Sequence, residues 1–445
     1  MWFLKSPRNP NVIKSKSERD PIEKYSNKIY SPRGYLNGDV MRFDFSNSLS
    51  NMRPSEIREL LRYATATDLI SFGGGMPNPE SFPVGDLKEI IDDLILTSSK
   101  DIFQYGNTGG LDSLRDEISL MLKEMDNISA SHSEINVTSG SQQALYEIAK
   151  ILASPGDAVI TELPTYVGAI SAFSANKLDM HGIPMDEEGI MTDKIQSEIE
   201  LLSGDNRKPK FIYVIPDFQN PTGITLSQER RKHLLDISED YSIPIVEDDP
   251  YSNLRYYGEP IPRIKSLDRG GNVIYTSTFS KVMCPGLRIG YVVGQEDFIS
   301  RVNLLKQALD LSTNTLSEYI AREYIKRGIM KKQIPKTVAL YRRKRDLMLE
   351  TMKKEFPEGT DWTKPDGGMF IWASVDSHID TTEMRTRAIK NGVLYVSGAS
   401  FYPHAEKKNE MRINFSYSSD EDIVNGIRRL SKTIGEELSS ISKTA

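Results

Sequence analysis

The chain has 445 residues, of which 38% are hydrophobic and 27% charged, and its formal net charge is −6. This length allows two domains, or one large domain with a smaller partner, and the charge balance does not indicate a nucleic-acid-binding face. A single cysteine, Cys284, excludes an internal disulfide, and the few Cys and His residues show no metal-ligand spacing. The single cysteine fits a reducing cytoplasm, and we expect no metal site. The N-terminus lacks an apolar signal segment, and no apolar run is long enough to span a membrane.

The first 47 residues are rich in Ser, Asn, Lys, Arg and Pro, which predicts an N-terminal extension that is partly disordered or lies on the surface. Residues 51–62 have apolar side chains at helical spacing after a proline, and they predict a short helix that carries Ser55 and Arg58. Three consecutive glycines, ending at Gly75, follow in a turn-rich segment where the backbone can approach a ligand closely. A plain loop would show the same pattern.

A phosphate-binding turn is predicted next along the chain. Residues 135–138 predict a strand, Ser139 and Gly140 a turn, and Gln142 the start of a helix. Because free N–H groups and the helix dipole face an anion at a helix start, this turn is a candidate phosphate-binding site. The pattern is neither a Walker loop nor a dinucleotide fingerprint, and an ordinary strand-to-helix turn also fits it.

Three further apolar runs, residues 158–161, 211–215 and 243–246, predict buried strands of one sheet. Acidic residues that include Asp248 and Asp249 come directly after the last of these runs. Ligands of open α/β sheets bind outside the carboxyl ends of the strands, so acids at this position are candidates for a binding site. Helix caps or solvated loop acids would also explain them.

The most informative segment joins two apolar runs, residues 273–276 and 289–293, and carries hydroxyls together with Lys281 and Arg288. Desolvation and a nearby cation disfavour the ammonium form of a partly buried lysine, so its amine becomes a nucleophile for carbonyl carbon. The arginine and the hydroxyls suit a phosphate. An amine that attacks carbonyls beside a phosphate site indicates a pocket for pyridoxal 5'-phosphate (PLP), in which a lysine forms a Schiff base. The alternative is a solvated loop lysine.

From about residue 300 the pattern changes to long charged helices, followed by short strand-like pieces. The Lys- and Arg-rich run over residues 326–345 fits a solvated helix face better than a nucleic-acid contact. In the strand predicted over residues 411–415, the apolar side chains share one face and Arg412 lies on the other. This part of the chain predicts a second, α+β domain.

Together these segments resemble the PLP-dependent class I/II aminotransferases of the aspartate aminotransferase fold, and within them the branch of 2-aminoadipate and kynurenine aminotransferases. The resemblance covers roughly residues 50–435 and depends on motifs at residues 71–79, 104–106, 140–143, 220–223, 248–251, 280–281, 286–290 and 412–416. It implies an α/β protein of PLP fold type I. The implied parts are the extension over 1–47, a large PLP-binding domain over 85–325 with a mostly parallel central sheet between helices, and a smaller α+β domain from 48–84 and 326–445.

The resemblance also implies roles for individual residues. Lys281 would form the Schiff base and move the proton between the substrate Cα and the cofactor. Asp248 would pair with the pyridine nitrogen, because it stands three residues before Tyr251 as the motif requires, whereas Asp249 does not. Tyr166 would stack on the ring. The other implied cofactor contacts are Asn220 and Tyr251 to the ring hydroxyl, and Ser141, Gln142, Thr278, Ser280 and Arg288 to the phosphate.

Substrate contacts are implied as well. Arg412 would clamp the substrate α-carboxylate, with Gly75 and Asn220 lining its seat. In 2-aminoadipate-type relatives a serine and an arginine on such a helix bind the far carboxylate of an acidic substrate. The resemblance implies this role for Ser55 and Arg58, which lie three residues apart on one face of the predicted helix. A surface arginine paired with a neighbouring glutamate is the alternative for Arg58.

The implied function is an aminotransferase that moves an amino group between a 2-amino acid (2-aminoadipate, aromatic or aliphatic) and a 2-oxo acid such as 2-oxoglutarate. Tyr105 resembles the residue that reaches the phosphate of the neighbouring subunit, which implies a homodimer with shared active sites. One alternative is another PLP reaction on the same fold, by a lyase or decarboxylase. Another is a regulatory protein that carries the fold behind a winged-helix DNA-binding domain, for which the preceding segment is too short and too rich in turns.

Overall fold

The computed structural model describes residues 45–47, 52, 69–404 and 407–441. The chain divides into two units, Met1–Asn47 and Ser48–Ala445, and nearly all of the first unit lies outside the described residues. The helix predicted over residues 51–62, with Ser55 and Arg58, also lies outside them except for one residue. The fold below is therefore that of residues 69–404 and 407–441.

The strands of this region are short, as is usual for a globular protein. They are β1 (Ile70–Ser71), β2 (Ile135–Thr138), β3 (Ala158–Leu163), β4 (Asp179–Asp186), β5 (Gly189–Ile190), β6 (Ile212–Val214), β7 (Ile245–Asp249), β8 (Val273–Thr278), β9 (Gly290–Val293), β10 (Asp361–Trp362), β11 (Phe370–Ser374), β12 (Val393–Leu394), β13 (Val396–Ser397) and β14 (Glu410–Asn414).

Helices alternate with these strands through most of the chain. They are α1 (Val84–Ile102), α2 (Asp112–Asp126), α3 (Ser141–Leu152), α4 (Val167–Ala175), α5 (Thr192–Gly204), α6 (Gln228–Tyr241), α7 (Ile264–Leu267), α8 (Glu296–Leu309), α9 (Thr315–Lys326), α10 (Ile329–Glu355), α11 (Thr381–Lys390) and α12 (Asp420–Ile441). None of them, within the described part of the chain, combines the length and the apolar composition that a membrane-spanning helix needs.

The central sheet has eight strands in the order β2-β9-β8-β7-β6-β3-β4-β5. The five strands from β8 to β4 run parallel, and β9, β2 and β5 are antiparallel to their neighbours. Every residue of β6, β7 and β8 is buried, which is expected where helices cover both faces of a parallel sheet. The predicted α/β fold with a mostly parallel central sheet is thus confirmed.

A second, antiparallel sheet has the order β10-β11-β14-β13, and β1 and β12 form a separate parallel pair. Arg412 lies in the middle of β14, opposite Trp372 of β11 and Val396 of β13. One cluster of buried side chains contains residues from both sheets, among them Tyr213 and Ile413. The predicted division into a large and a small domain stays a prediction.

Two details differ from the sequence-based expectations. Strand β7 continues to Asp249, so the acids expected after the strand belong to its last residues, and Asp248 is only 1% exposed. This burial excludes the alternative of solvated loop acids. The basic run over residues 326–345 is not wholly a solvated face, because Lys344 is 2% exposed and donates a hydrogen bond to the Ser418 carbonyl at 2.6 Å.

Candidate active site

Lys281 follows the carboxyl end of β8 by three residues and is partly buried. Its Nζ donates a hydrogen bond to the carbonyl oxygen of Gly75 at 3.0 Å. Burial, and then the positive charges of Arg412 and Arg288, lower the pKa of the Lys281 ammonium to about 8. A solvated loop lysine would show none of these features, so the amine is prepared to act as a nucleophile near neutral pH.

Asp248 lines the same pocket as Lys281 and lies at the carboxyl end of β7. Its Oδ2 accepts a hydrogen bond from the Tyr213 hydroxyl at 2.9 Å, while its Oδ1 is buried without a hydrogen-bond partner among the described residues. Burial raises the pKa of the Asp248 carboxyl to about 7, and the adjacent Asp249 adds to this rise. A buried carboxyl oxygen without a partner is costly unless a ligand supplies one.

Arg412 is 1% exposed, and its guanidinium is held by hydrogen bonds from Nη1 to Asn220 Oδ1 at 2.9 Å and from Nη2 to the Gly73 carbonyl at 3.0 Å. The guanidinium also lies 4.2 Å from the centre of the Phe370 ring. Asn220 uses its other end to donate to the Tyr251 hydroxyl at 3.2 Å. A rigid arginine is thereby linked to the pocket through one amide side chain.

Helix α3 begins at Ser141, directly after Gly140, and its start faces two hydroxyls and an arginine. The Thr278 and Ser280 hydroxyls lie 2.9 Å apart, and Arg288 Nη1 lies 3.5 Å from the Ser280 hydroxyl. Gly140 has a φ of 79°, and a Cβ there would lie 2.3 Å from Arg288 Nη2. Glycine at position 140 therefore leaves room for the Arg288 guanidinium beside the helix start. The N–H groups of that helix start, the two hydroxyls and the guanidinium together could bind an anion.

The structure brings most of the predicted site residues into one pocket. Its lining is Ser141, Gln142, Tyr166, Ile215, Asp248, Pro250, Tyr251, Thr278, Ser280, Lys281 and Arg288. Gln142 donates a hydrogen bond to the Gly168 carbonyl at 2.8 Å, which ties the start of α3 to the helix that begins after Tyr166. Asn220, Arg412 and Gly75 join the pocket through the hydrogen bonds described above.

Residues 68–430 match the family model of aminotransferase class I and II. The chain belongs to this family. It is 43% identical over 394 residues to aromatic-amino-acid aminotransferase 1 of Thermococcus litoralis, an alignment that covers 88% of this chain and 94% of the relative. The family and this relative show that the protein is a transaminase, an enzyme that transfers amino groups.

Solved structures of other aminotransferases have the same fold. The kynurenine aminotransferase of Pyrococcus horikoshii, crystallised in complex with PMP, superposes with a TM-score of 0.86 at 42% identity, covering 88% of this chain and 97% of that one. LysN, the alpha-aminoadipate aminotransferase of Thermus thermophilus, complexed with N-(5'-phosphopyridoxyl)-L-leucine, gives a TM-score of 0.81 at 31% identity, covering 89% and 98%.

Two pocket residues of this aminotransferase were not predicted from the sequence, Ile215 and Pro250. Both follow strands of the parallel sheet, so the rule that ligands bind at the carboxyl ends of strands could have identified them. Tyr213 was also missed, although a hydroxyl inside an otherwise apolar buried strand needs a polar partner. Tyr105 does not line the pocket of its own chain and is 83% exposed.

Proposed function

We propose that this transaminase uses PLP to exchange amino groups between 2-amino acids, either aromatic, aliphatic or 2-aminoadipate, and 2-oxo acids such as 2-oxoglutarate. One observation carries the proposal: a lysine amine with a lowered pKa opens onto the same pocket as a buried carboxyl oxygen without a partner among the described residues. The pocket combines a nucleophile with an acceptor for a cationic or N–H-bearing ligand.

The residues present fit PLP. Asp248 Oδ1 lacks a partner among the described residues and can accept a hydrogen bond from a ring nitrogen. The start of α3, with Thr278, Ser280 and Arg288, offers N–H groups, hydroxyls and a positive charge to a phosphate. When bound, PLP supplies an aldehyde that reacts with amines and a ring that withdraws electrons from the substrate Cα. Two similar solved structures support this choice, one in complex with PMP and one with a phosphopyridoxyl amino acid.

Lys281 has two proposed tasks. Its neutral amine attacks carbonyl carbon, and its Nζ would carry the proton from the substrate Cα to the cofactor in one half-reaction and back to Cα in the opposite one. A pKa near 8 suits both tasks, because the proton affinity of the amine is then close to that needed near neutral pH. The positive charges of Arg412 and Arg288 contribute to this tuning.

Asp248, Asn220 and Tyr251 are proposed to hold the ring. A carboxylate at Asp248 stabilises a protonated ring nitrogen, which strengthens the withdrawal of electrons from the substrate. Asn220 and Tyr251 are already hydrogen-bonded to each other at 3.2 Å, so they present one amide and one hydroxyl at a fixed separation. Burial raises the pKa of the Tyr251 hydroxyl, which therefore stays a neutral donor.

Arg412 is the proposed site for the substrate α-carboxylate. Its guanidinium is buried and its position is fixed by Asn220 and Gly73, so little side-chain entropy is lost when a carboxylate binds. A fork of two N–H donors matches the two carboxylate oxygens. Gly75 is proposed to line this seat, next to the amine of Lys281.

For the far end of the substrate we propose Ser55 and Arg58, which lie outside the described residues. The proposal rests on their spacing on a predicted helix, and on the similarity to an alpha-aminoadipate aminotransferase.

We also propose a homodimer in which Tyr105 reaches the phosphate site of the partner subunit. Its support is the 83% exposure of Tyr105, together with the 71% exposure of Phe103 on the same segment, since large exposed aromatic side chains are typical of interfaces. Mixing inactive Lys281→Ala protein with an inactive Tyr105→Ala protein should restore activity through hybrid dimers. No restoration after proven subunit exchange would contradict the shared site.

The experiment that tests the function is a panel of amino donors. Purified protein is incubated with PLP and then with 2-aminoadipate, glutamate, leucine, phenylalanine or kynurenine, against 2-oxoglutarate or pyruvate as acceptor. We expect a change in the cofactor absorption spectrum with each active donor and equimolar formation of a new amino acid. Release of CO₂ or ammonia without a new amino acid would instead indicate a decarboxylase or lyase.

A further inference from the structure

Tyr213 makes a contact with the proposed ring-binding acid that the sequence did not indicate. Among the described residues, its hydroxyl is the only hydrogen-bond donor to the side chain of Asp248, at 2.9 Å from Oδ2. Tyr213 is fully buried, and its ring packs edge-on against Phe173 with 5.4 Å between the ring centroids. The ring is thus held by packing, and its hydroxyl meets its hydrogen-bonding requirement at Asp248.

The sheet register explains how the two side chains meet. Strands β6 and β7 are parallel neighbours, and Tyr213 is the Cα partner of Val246. Side chains alternate between the faces of a strand, so Val246 and Asp248 point to the same face as Tyr213. The long Tyr213 side chain therefore extends past Val246 to Asp248, two residues further along β7 at the strand end where the pocket begins.

Other ionisable groups act on Asp248 from several sides. Glu162 on β3 and Asp249 on β7 are acidic neighbours, while Tyr251 and Lys281 belong to the same pocket. Burial and the charge of Asp249 raise the pKa of Asp248 to about 7, and the hydrogen bond from Tyr213 acts in the opposite direction. Without that bond, the carboxyl would be protonated over more of the neutral pH range.

We propose that Tyr213 is a positioning residue, which holds Oδ2 of Asp248 so that Oδ1 is left for the ligand and the carboxylate stays charged. The inference rests on the proposed function, because it assigns Asp248 to the ring nitrogen of PLP. It adds that the pair of Tyr213 and Asp248, rather than the aspartate alone, sets the pH range over which the cofactor is bound tightly.

The test compares Tyr213→Phe with Tyr275→Phe. Both changes remove one buried hydroxyl that donates to a β7 aspartate, since Tyr275 donates to Asp249 Oδ2 at 3.0 Å. PLP binding to the protein freed of cofactor is titrated by fluorescence between pH 6 and pH 9. We expect Tyr213→Phe to weaken binding about tenfold near pH 6.5 and less than about twofold at pH 9, because a lost hydrogen bond to a charged group shifts its ionisation by about one pH unit.

Tyr275→Phe should lower the melting temperature without moving the pH dependence of PLP binding. Equal pH profiles for the two variants would overturn the inference. Asp248→Asn separates this failure from a failure of the proposed function. If Asp248→Asn weakens PLP binding while Tyr213→Phe behaves like Tyr275→Phe, only the role of Tyr213 is wrong. If Asp248→Asn binds PLP and transaminates like the unchanged protein, the assignment of the ring-binding acid is wrong.

Discussion

Asp248 and Asp249 are consecutive residues of one buried strand, yet their side chains lie in opposite kinds of surroundings. Asp248 has one hydrogen bond, from Tyr213, and one oxygen without a partner among the described residues. Asp249 accepts hydrogen bonds from the Tyr275 hydroxyl at 3.0 Å and from the Ser252 hydroxyl and N–H at 2.7 and 3.0 Å, and it lies 2.9 Å from Arg263 Nε.

The surroundings of Asp249 continue as a network of buried charges. Arg263 also pairs with Asp126 at 2.9 Å, and Asp217 pairs with Arg231 at 3.0 Å and with Arg255 at 2.9 Å. Removal of one partner from such a network leaves an uncompensated buried charge, which is costly to the fold. Asp249, whose carboxylate has several hydrogen-bond and ion-pair partners, lies on the face of β7 that stabilises the structure. Asp248, with one carboxyl oxygen that lacks a partner among the described residues, lies on the face that is available to a ligand.

The largest effect is expected from removing the amine of Lys281, which lines the same pocket as Asp248. Lys281→Ala should lower turnover at least a thousandfold, because the nucleophile and the proton carrier are lost together. Borohydride reduction followed by peptide mass analysis should place the cofactor on Lys281 in the unchanged protein and nowhere in the variant. Cofactor fixed on a different lysine would contradict the assignment.

Lys344 provides the matched control, since it is also a buried lysine bonded to a backbone carbonyl, that of Ser418. We expect Lys344→Met to change the melting temperature while turnover stays within about twofold. A comparable loss of turnover in both variants would mean that the loss in Lys281→Ala is a general effect of removing a buried lysine, and not evidence that Lys281 takes part in the reaction.

Replacing each of the two aspartates separately by asparagine tests the comparison directly. Asp248→Asn should fold and lower kcat about a hundredfold or more, because a neutral amide cannot stabilise a protonated ring nitrogen. Asp249→Asn should lose about 3 kcal/mol of stability, and its melting temperature should fall by several degrees. The measurements are steady-state kinetics and thermal unfolding of both variants. The reverse pattern would show that Asp249 is the ring-binding acid.

A smaller effect is expected at the far end of the substrate. Arg58→Ala should lower kcat/KM about tenfold for 2-aminoadipate, glutamate and 2-oxoglutarate, and leave half-reactions with leucine and phenylalanine within a few-fold. The reason is that a guanidinium in a closed site contributes on the order of 2 kcal/mol to the binding of a carboxylate, but nothing specific to an apolar side chain. Equal losses for both groups of substrates would assign Arg58 to structure.

The last prediction concerns stability without cofactor, where no activity is measured. Because folding lowers the pKa of Lys281 from 10.5 to about 8, the charged amine destabilises the folded state below pH 8, and this cost disappears as pH rises from 8 to 10.5. Lys281→Met should therefore stabilise the cofactor-free protein at pH 7, by on the order of 2 kcal/mol, and much less at pH 10. Denaturant unfolding at both pH values measures the difference. A gain that does not change with pH would show that packing, not charge, is responsible.

Much of the site could be predicted from the sequence, because its parts are encoded locally. Strand β2 was predicted with its observed bounds, and the start of α3 was predicted to within one residue. Periodicity and turn residues determine such elements within a few positions of the chain. The resemblance to the aminotransferase motif, in which the aspartate stands three residues before the tyrosine, favoured Asp248 over Asp249. The structure places Asp248 and Tyr251 in one pocket with Lys281.

Only the tertiary structure decided which distant residues meet. The order of strands in the parallel sheet places β6 beside β7, and that neighbourhood brings Tyr213 to Asp248. Likewise, the Gly75 carbonyl accepts a hydrogen bond from Lys281 Nζ, although the two residues are far apart in the sequence. Only the tertiary fold brings them together. A run of buried apolar residues predicts a strand, but the same pattern fits any position in a parallel sheet. It therefore does not indicate which other strand will lie beside it. The sequence by itself determined which groups could do the chemistry, and the strand order and register determined how those groups are held and charged.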